Sequence, residues 1–380
     1  MFILVTALFL FVTALALVAL RVLRPDFRFG WLMAAGGAFL AWLSVTLWQL
    51  FMPIALALPA WQPADLFKDA PLFFADQLSW PYALGLASLV LALILTAVAR
   101  EDFPDPLGWA GAAALAGFGM LATLADNPLT LALAWGALDL MELVSQLRSA
   151  EGESPNERVV AGFAARILGT GLLLWAGMTS LSQGDPLDFR STRPETGMTL
   201  VLAAGLRLGV IPPRLGYAPD TFPRRGYDTA FRLIPAASSL ILLARIPAES
   251  AQSPFAPLLL ALVAFIAVYG GFQWIRSADG LAGRPYWALG VSSLALASAL
   301  RGNPVGSVAW GAVLILAGGA LFLSSSQNRI LNRALLVLGA WGISSLPYSP
   351  TASAWLGNEA PEWALWGTWP LLLAAQALFA

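Results

Sequence analysis

The sequence predicts an all-α polytopic membrane protein of about thirteen transmembrane helices, built from two inverted five-helix repeats with discontinuous helices. Three features carry this reading. Of 380 residues, 58% are hydrophobic and 11% are charged, against roughly 25% charged in a soluble domain. Apolar runs of about 20 residues, the length that crosses a ~30 Å hydrocarbon core as helix, recur along the whole chain. Two of these runs are interrupted by prolines at matched places, Pro212 and Pro213 in one and Pro347 and Pro350 in the other.

The runs are continuous and do not alternate with period two, so they read as helices and not as the strands of a barrel. In order, spans are expected at 2–21, 31–58, 78–99, 107–125, 128–147, 159–181, 197–212, 227–245, 254–275, 282–300, 305–325, 333–347 and 363–380. The first lacks a basic leading region and a small-residue cleavage site, and it reads as a retained span. The connections are short and rich in Pro, Gly and polar residues, so no soluble domain is expected. Residues 1–106 then hold the first three helices, 107–246 a first five-helix repeat and 247–380 a second. The proline breaks fall in the fourth span of each repeat. Five is odd, so the repeats face opposite ways, the pattern of transporters whose broken helices line a polar site. Proline removes a helix hydrogen bond and clashes with the preceding turn. In a membrane such a break is tolerated where it is buried or faces a polar cavity.

The cations orient the chain. With the N-terminus outside, the inside loops hold Arg21, Arg24, Arg28, Arg100, Arg148, Arg158, Arg214, Arg224, Arg225, Arg276, Arg284, Arg329 and Arg333. The outside loops hold Lys68, Arg190, Arg193, Arg245 and Arg301. Thirteen against five fits a multi-pass protein of the cell inner (cytoplasmic) membrane with its C-terminus in the cytoplasm. Arg166, Arg207 and Arg232 fall within or at the edge of spans.

The chain has no Cys and no His. Thiolate and imidazole metal sites, cysteine nucleophiles, histidine bases and axial haem histidines are therefore excluded. No cofactor or metal is expected, and any redox centre belongs to another subunit. There is no basic patch for nucleic acid. The sixteen Trp residues read as interface anchors or packing before cofactor stacks.

Four stretches carry a family resemblance. FFADQLSWPYALG holds an Asp-x-Leu-Ser pattern (Asp76, Leu78, Ser79) at the start of the third span. NPLTLALAWGALDLMELVSQL runs from Asn127 through Trp135 to the acids Asp139 and Glu142. LAAGLRLGVIPPRLGYAPD sets Arg207 five residues before Pro212. SADGLAGRPYWALGVSSLALASAL opens the tenth span, and GISSLPYSPTASAWLG fits a broken twelfth span more loosely. Together these resemble the antiporter-like membrane subunits shared by respiratory complex I (NADH-quinone oxidoreductase), membrane-bound hydrogenases and Mrp-type sodium/proton antiporters. The likeness runs from about residue 74 to 356. It implies a buried fifth-span acid partnered by a seventh-span cation, proton or cation translocation, and other integral membrane subunits as partners. The departures are equally plain. Trp135 is followed by Gly136 where the family has Glu, and Arg207 stands at the Lys position. Arg232 is the cation within the eighth span. Ser353 and Ala354 fall where the twelfth span carries Lys or Glu, so the second half-channel is expected to be stripped.

Asp139 and Glu142 are three apart and share one helix face, which Gln146 continues. An unpaired charge at mid-bilayer costs several kcal/mol, so a partner is required. Arg207 is the first candidate and Arg166 the second. The same residues fit two roles, a carboxyl poised to exchange protons or a fixed ion pair with Glu142 solvated near the rim. Arginine keeps its proton where lysine can release it, so the Lys-to-Arg change retains an electrostatic switch and removes a proton relay. Asp228, Arg232, Arg224 and Arg225 read as a solvated loop or a subunit contact. Asp279 and Arg284 read as capping the tenth span. For function, an ion-translocating subunit of a larger complex stands beside a non-conducting scaffold derived from such a subunit. A stand-alone solute transporter lacks a polar cluster, and an enzyme acting alone lacks a nucleophile, base or cofactor motif.

Overall fold

The computed structural model describes residues 2–24, 27–59, 70–97, 106–149, 153–215, 226–324, 329–356 and 359–380. Lys68, Arg100, Arg224 and Arg225, and the side chains of Arg148 and Arg329, lie outside the described residues.

Thirteen α-helices are described, in the order and near the places expected: α1 (Phe2–Leu23), α2 (Gly30–Trp48), α3 (Ser79–Ala97), α4 (Pro106–Leu124), α5 (Pro128–Ser149), α6 (Glu153–Ser182), α7 (Pro194–Arg207), α8 (Tyr227–Arg245), α9 (Ala256–Arg276), α10 (Gly280–Leu300), α11 (Pro304–Leu323), α12 (Arg329–Ile343) and α13 (Glu362–Phe379). The helix starts follow from local chemistry. Pro106, Pro128, Pro194 and Pro304 each open a helix, where the missing N–H costs nothing. Asp76 accepts from the backbone N–H of Leu78 and Ser79 ahead of α3. Asn127 caps α5 through Thr130 N, Asp279 caps α10 through Leu281 N and Ala282 N, and Asn303 caps α11 through Gly306 N.

Among the described residues eight helices, α1–α6, α9 and α11, are long and apolar enough to cross a membrane. α7 and α12 are too short for this, at 14 and 15 residues. α8 and α10 are long but more polar, and both are buried along most of their length. α8 packs on α3, α4, α7, α10 and α11. A helix surrounded by protein need not be apolar, because its polar groups meet partners there and not lipid.

The expected second span, 31–58, is shorter. α2 ends at Trp48, and the chain turns through Pro53 into strand β1 (Ile54–Ala57), antiparallel to β2 (Leu72–Ala75). The all-α reading thus gains a small hairpin, in which Ile54 pairs with Ala75 and Ala57 with Leu72. Proline cannot continue the helix ladder, and the burial of 54–57 alternates as a strand edge should.

The same order of neighbours occurs twice. In the first block α4 packs on α5, α5 on α6 and α6 on α7, and α8 returns to α4. In the second α9 packs on α10, α10 on α11 and α11 on α12, and α13 returns to α9. Both broken spans stop before their prolines, α7 at Arg207 and α12 at Ile343, and pass into turns. No α-helix resumes among the described residues before α8 or α13.

The second break is held by neutral groups. Ser345 and Tyr348 have φ of 54° and 67°, a left-handed conformation that costs a side-chain-bearing residue roughly 1–2 kcal/mol. Neighbours fix it. Thr351 Oγ1 donates to Gly342 O at 2.8 Å and accepts from Ser345 N at 3.0 Å. Gln376 of α13 donates to Ile343 O at 2.5 Å and Ser345 Oγ at 2.8 Å, and accepts from Trp355 Nε1 at 3.0 Å. Ser298 and Asn303 donate to Ala354 O. Gln376→Leu strands these buried groups, so it is expected to destabilise the chain by about 1–3 kcal/mol. Thermal unfolding in detergent, followed by tryptophan fluorescence, reads this; an unchanged midpoint would show that the break does not depend on Gln376.

Candidate functional site

The first break is built around charge. Trp135, Asp139 and Glu142 lie on one face of α5 at helical spacing, and all three are buried. Arg207, the last residue of α7, closes a fork on Asp139, with Nη1 at 2.6 Å from Oδ2 and Nη2 at 2.8 Å from Oδ1. Both side chains are 0% exposed. Nη1 also donates to Thr170 Oγ1 at 2.9 Å and Arg166 O at 3.2 Å, and Nε donates to Ser239 Oγ at 3.3 Å. The guanidinium lies 4.1 Å over the Trp135 ring, whose own Nε1 donates to Ser238 O. A desolvated cation–π contact of this kind contributes about 2 kcal/mol.

The backbone around Arg207 allows this approach. A Cβ on Gly169 of α6 would meet Arg207 Cγ at 2.6 Å and Ala203 O at 2.9 Å, so α6 and α7 touch there only because position 169 has no side chain. Gly209 has φ +67° and turns the chain out of α7, with Arg214 N donating to Gly209 O.

Arg166 links the pair to the second acid. Its Nη1 lies 2.8 Å from Glu142 Oε1 and its Nε lies 3.5 Å from Asp139 Oδ1. Gln146 Nε2 also donates to Glu142 Oε1, at 2.7 Å. Glu142 Oε2 has no hydrogen-bond partner among the described residues. Glu142 lines a cavity of about 100 Å³, together with Gln146, Arg166, Arg207, Arg214 and Arg232. The cavity sits where α5 ends, α6 begins, α7 stops and α8 and α10 begin.

Asp139, Glu142, Arg166 and Arg207 are thus brought together, with Arg207 the partner of Asp139 and Arg166 shared by both acids. Glu142 is 1% exposed, so a solvated rim carboxylate is ruled out by its burial. Arg232 lines the cavity but pairs with Asp228 at 3.3 Å. Asp228 is buried, and it also pairs with Arg284, whose Nη1 donates to Thr229 Oγ1 at 2.7 Å. The expected solvated loop at Asp228 is therefore a packed α8–α10 contact, and Arg284 serves it and not a cap. Pro212 and Pro213 follow the end of α7 and are exposed; Pro347 and Pro350 lie in the turns after α12.

Sequence reasoning missed a second cluster at the far ends of these helices. Arg245, the last residue of α8, is buried and lies 2.7 Å from Asp126 and 3.4 Å from Asp76. It ties the α4–α5 connection to the start of α3. Burial pushes the Asp126 carboxyl up, and Arg245 and Arg190 pull it back. Three charges scattered over 170 residues gave no local signal of the contact.

No protein-family model and no curated protein matches the sequence. Solved structures do match in fold. The chain is similar to one in the Mrp complex from Dietzia sp. DQ12-45-1b, with 17% identity and TM-score 0.74, covering 100% of this chain and 46% of that one. It is similar to a chain of respiratory complex I from Thermus thermophilus with bound NADH, with 18% identity and TM-score 0.74, covering 99% and 86%. It is also similar to a chain of the membrane-bound sulfane sulfur reductase, an archaeal respiratory membrane complex, with 14% identity and TM-score 0.70, covering 97% and 68%. The chain spans about half the length of the Mrp chain. The fold is thus the one shared by these subunits of multi-subunit membrane complexes, and the protein is a multi-pass membrane protein. Mrp and complex I are two of the assemblies to which the sequence motifs pointed.

Removing one member of a buried ion pair costs about 3–5 kcal/mol, while replacing both with apolar groups is often neutral. Asp139→Leu is therefore expected to lower the unfolding midpoint sharply. Asp139→Leu combined with Arg207→Met is expected to recover most of that loss. A single variant that melts like the parent would show that the pair does not hold the break.

Proposed function

We propose that this chain is a proton- or cation-translocating, antiporter-like subunit of a larger complex I-like or Mrp-like membrane assembly. In this reading residues 107–246 and 247–380 are inverted repeats, the first block carries a half-channel and the second is closed. Glu142 carries the reading. One of its oxygens is held by Arg166 and Gln146, and the other is buried without a partner beside a cavity. A strut would use both oxygens; a group that exchanges protons leaves one free.

The geometry suggests how charge moves. Arginine keeps its proton, so the carboxylates carry protons and the guanidiniums respond. A proton taken from cavity water onto Glu142 Oε2 neutralises the acid and frees Arg166. Arg166 already stands 3.5 Å from Asp139, so it then competes with Arg207 for that carboxylate and loosens the fork. Charge arriving next to Arg207 from a neighbouring subunit drives the same change in reverse, expelling the proton. The shared fold with subunits of multi-subunit complexes supports other integral membrane subunits as the lateral partners that supply this charge.

The bidentate, fully satisfied Asp139–Arg207 pair and the uncharged second break favour a second reading, a non-conducting scaffold that docks other membrane subunits. Glu142→Gln separates the two in the intact complex reconstituted into vesicles. Lost proton flux with normal assembly supports conduction. Normal flux removes Glu142 from any path and leaves the scaffold.

The arginine distribution supports an outside N-terminus and a cytoplasmic C-terminus, which puts the cavity on the cytoplasmic side. The chain has no cysteine, so single cysteines can be placed freely. Ser182→Cys is expected to react with an impermeant maleimide on intact cells, and Ala278→Cys only after permeabilisation. The opposite pattern would invert the orientation.

A further inference from the structure

We infer that the cavity beside Glu142 binds a small protonated oxyanion, of the hydrogencarbonate or hydrogenphosphate class, because among the described residues five guanidiniums line it against one carboxylate, which has a buried oxygen without a hydrogen-bond partner. The site stands whether or not the chain conducts.

Among the described residues the charges that line the cavity do not balance. Arg207 is neutralised by Asp139, Arg166 by Glu142 and Arg232 by Asp228. The remaining lining arginines, Arg158 and Arg214, meet no carboxylate among the described residues. Arg158 is exposed and stands at the mouth, while Arg214 is half-buried. Burial, and then the neighbouring Arg166 charge, pull the Arg214 guanidinium below its usual range. A half-buried cation facing another cation is stabilised by an anion placed between them.

Glu142 selects the kind of anion. Its Oε2 needs a donor. An oxyanion carrying an O–H can donate there while its other oxygens accept charge-assisted hydrogen bonds from guanidiniums. Sulfate or nitrate would set lone pairs against a carboxylate oxygen. A metal cation would meet the surplus of arginines. A cavity of about 100 Å³ takes an anion of a few heavy atoms together with water, and not an acyl chain.

The test is thermal unfolding of the full chain in lipid-free detergent, titrated at constant ionic strength with the sodium salts of hydrogencarbonate, phosphate, sulfate, nitrate and chloride. A saturable rise in midpoint is expected with hydrogencarbonate or phosphate, and the better of the two names the ligand. Arg214→Gln is expected to raise the half-saturating concentration about tenfold or more. If that variant does not fold, Arg158→Gln at the exposed mouth tests the same surplus and shifts the midpoint curve in the same direction. Glu142→Gln is expected to erase the discrimination, so that sulfate and nitrate bind as well as hydrogencarbonate. An equal response to all five salts, or titrations unchanged by both arginine variants, would overturn the site.

Discussion

Everything around the first break depends on one buried contact, the fork between Arg207 and Asp139. Desolvating a carboxylate and a guanidinium costs several kcal/mol each. That cost is met only if the donors find acceptors in good geometry. Here Nη1, Nη2 and Nε all do, and the flat face of the ion rests on Trp135. The acceptors come from α5, α6 and α8, while the cation comes from the end of α7. Four helices are therefore fixed at one point, and α7 has to end there. The glycine at 169 and the left-handed glycine at 209 are the backbone's accommodation to the same contact.

The two breaks solve one problem in different ways. A helix that stops inside a bilayer leaves carbonyls and N–H groups without partners, and lipid offers none. At the second break Gln376, Thr351, Ser298 and Asn303 supply neutral partners, and the turn is closed by hydrogen bonds that carry no net charge. At the first break the same region is charged, and one buried carboxylate oxygen of a residue that lines a cavity has no hydrogen-bond partner among the described residues. A neutral, fully bonded turn has no state to switch to. In the proposed function, the cluster in which Arg166 serves two acids is what changes its pairing when one acid is protonated. The proposed function therefore places the chemistry in the first half, although both halves repeat the same order of packing.

The long helices also separate charge by end. At one end of α8, Arg245 is matched by Asp126 and Asp76 and is buried. At the other end, among the described residues, arginines outnumber the acids around a cavity. The matched end acts as a staple between α3, the α4–α5 connection and α8.

The sequence by itself determined the class of fold and the order of its helices. Apolar runs of membrane length report directly on the solvent in which they fold, and caps and prolines such as Asp76, Asn127, Pro128 and Pro304 mark helix ends locally. It also brought Asp139, Glu142, Arg166 and Arg207 into one set, because charges are so few in these spans that each must find another. Tertiary structure decided which charge meets which. Glu142 is buried and not solvated, Arg284 turns to Asp228 from another helix, and Arg245 reaches acids more than a hundred residues away, because such pairings depend on how helices cross and not on spacing along one helix. The hairpin at 54–57 and 72–75 and the role of Gln376 were equally invisible. A hydrogen bond between distant segments leaves no period in the sequence, and the order of burial across a bundle is set only when the helices pack.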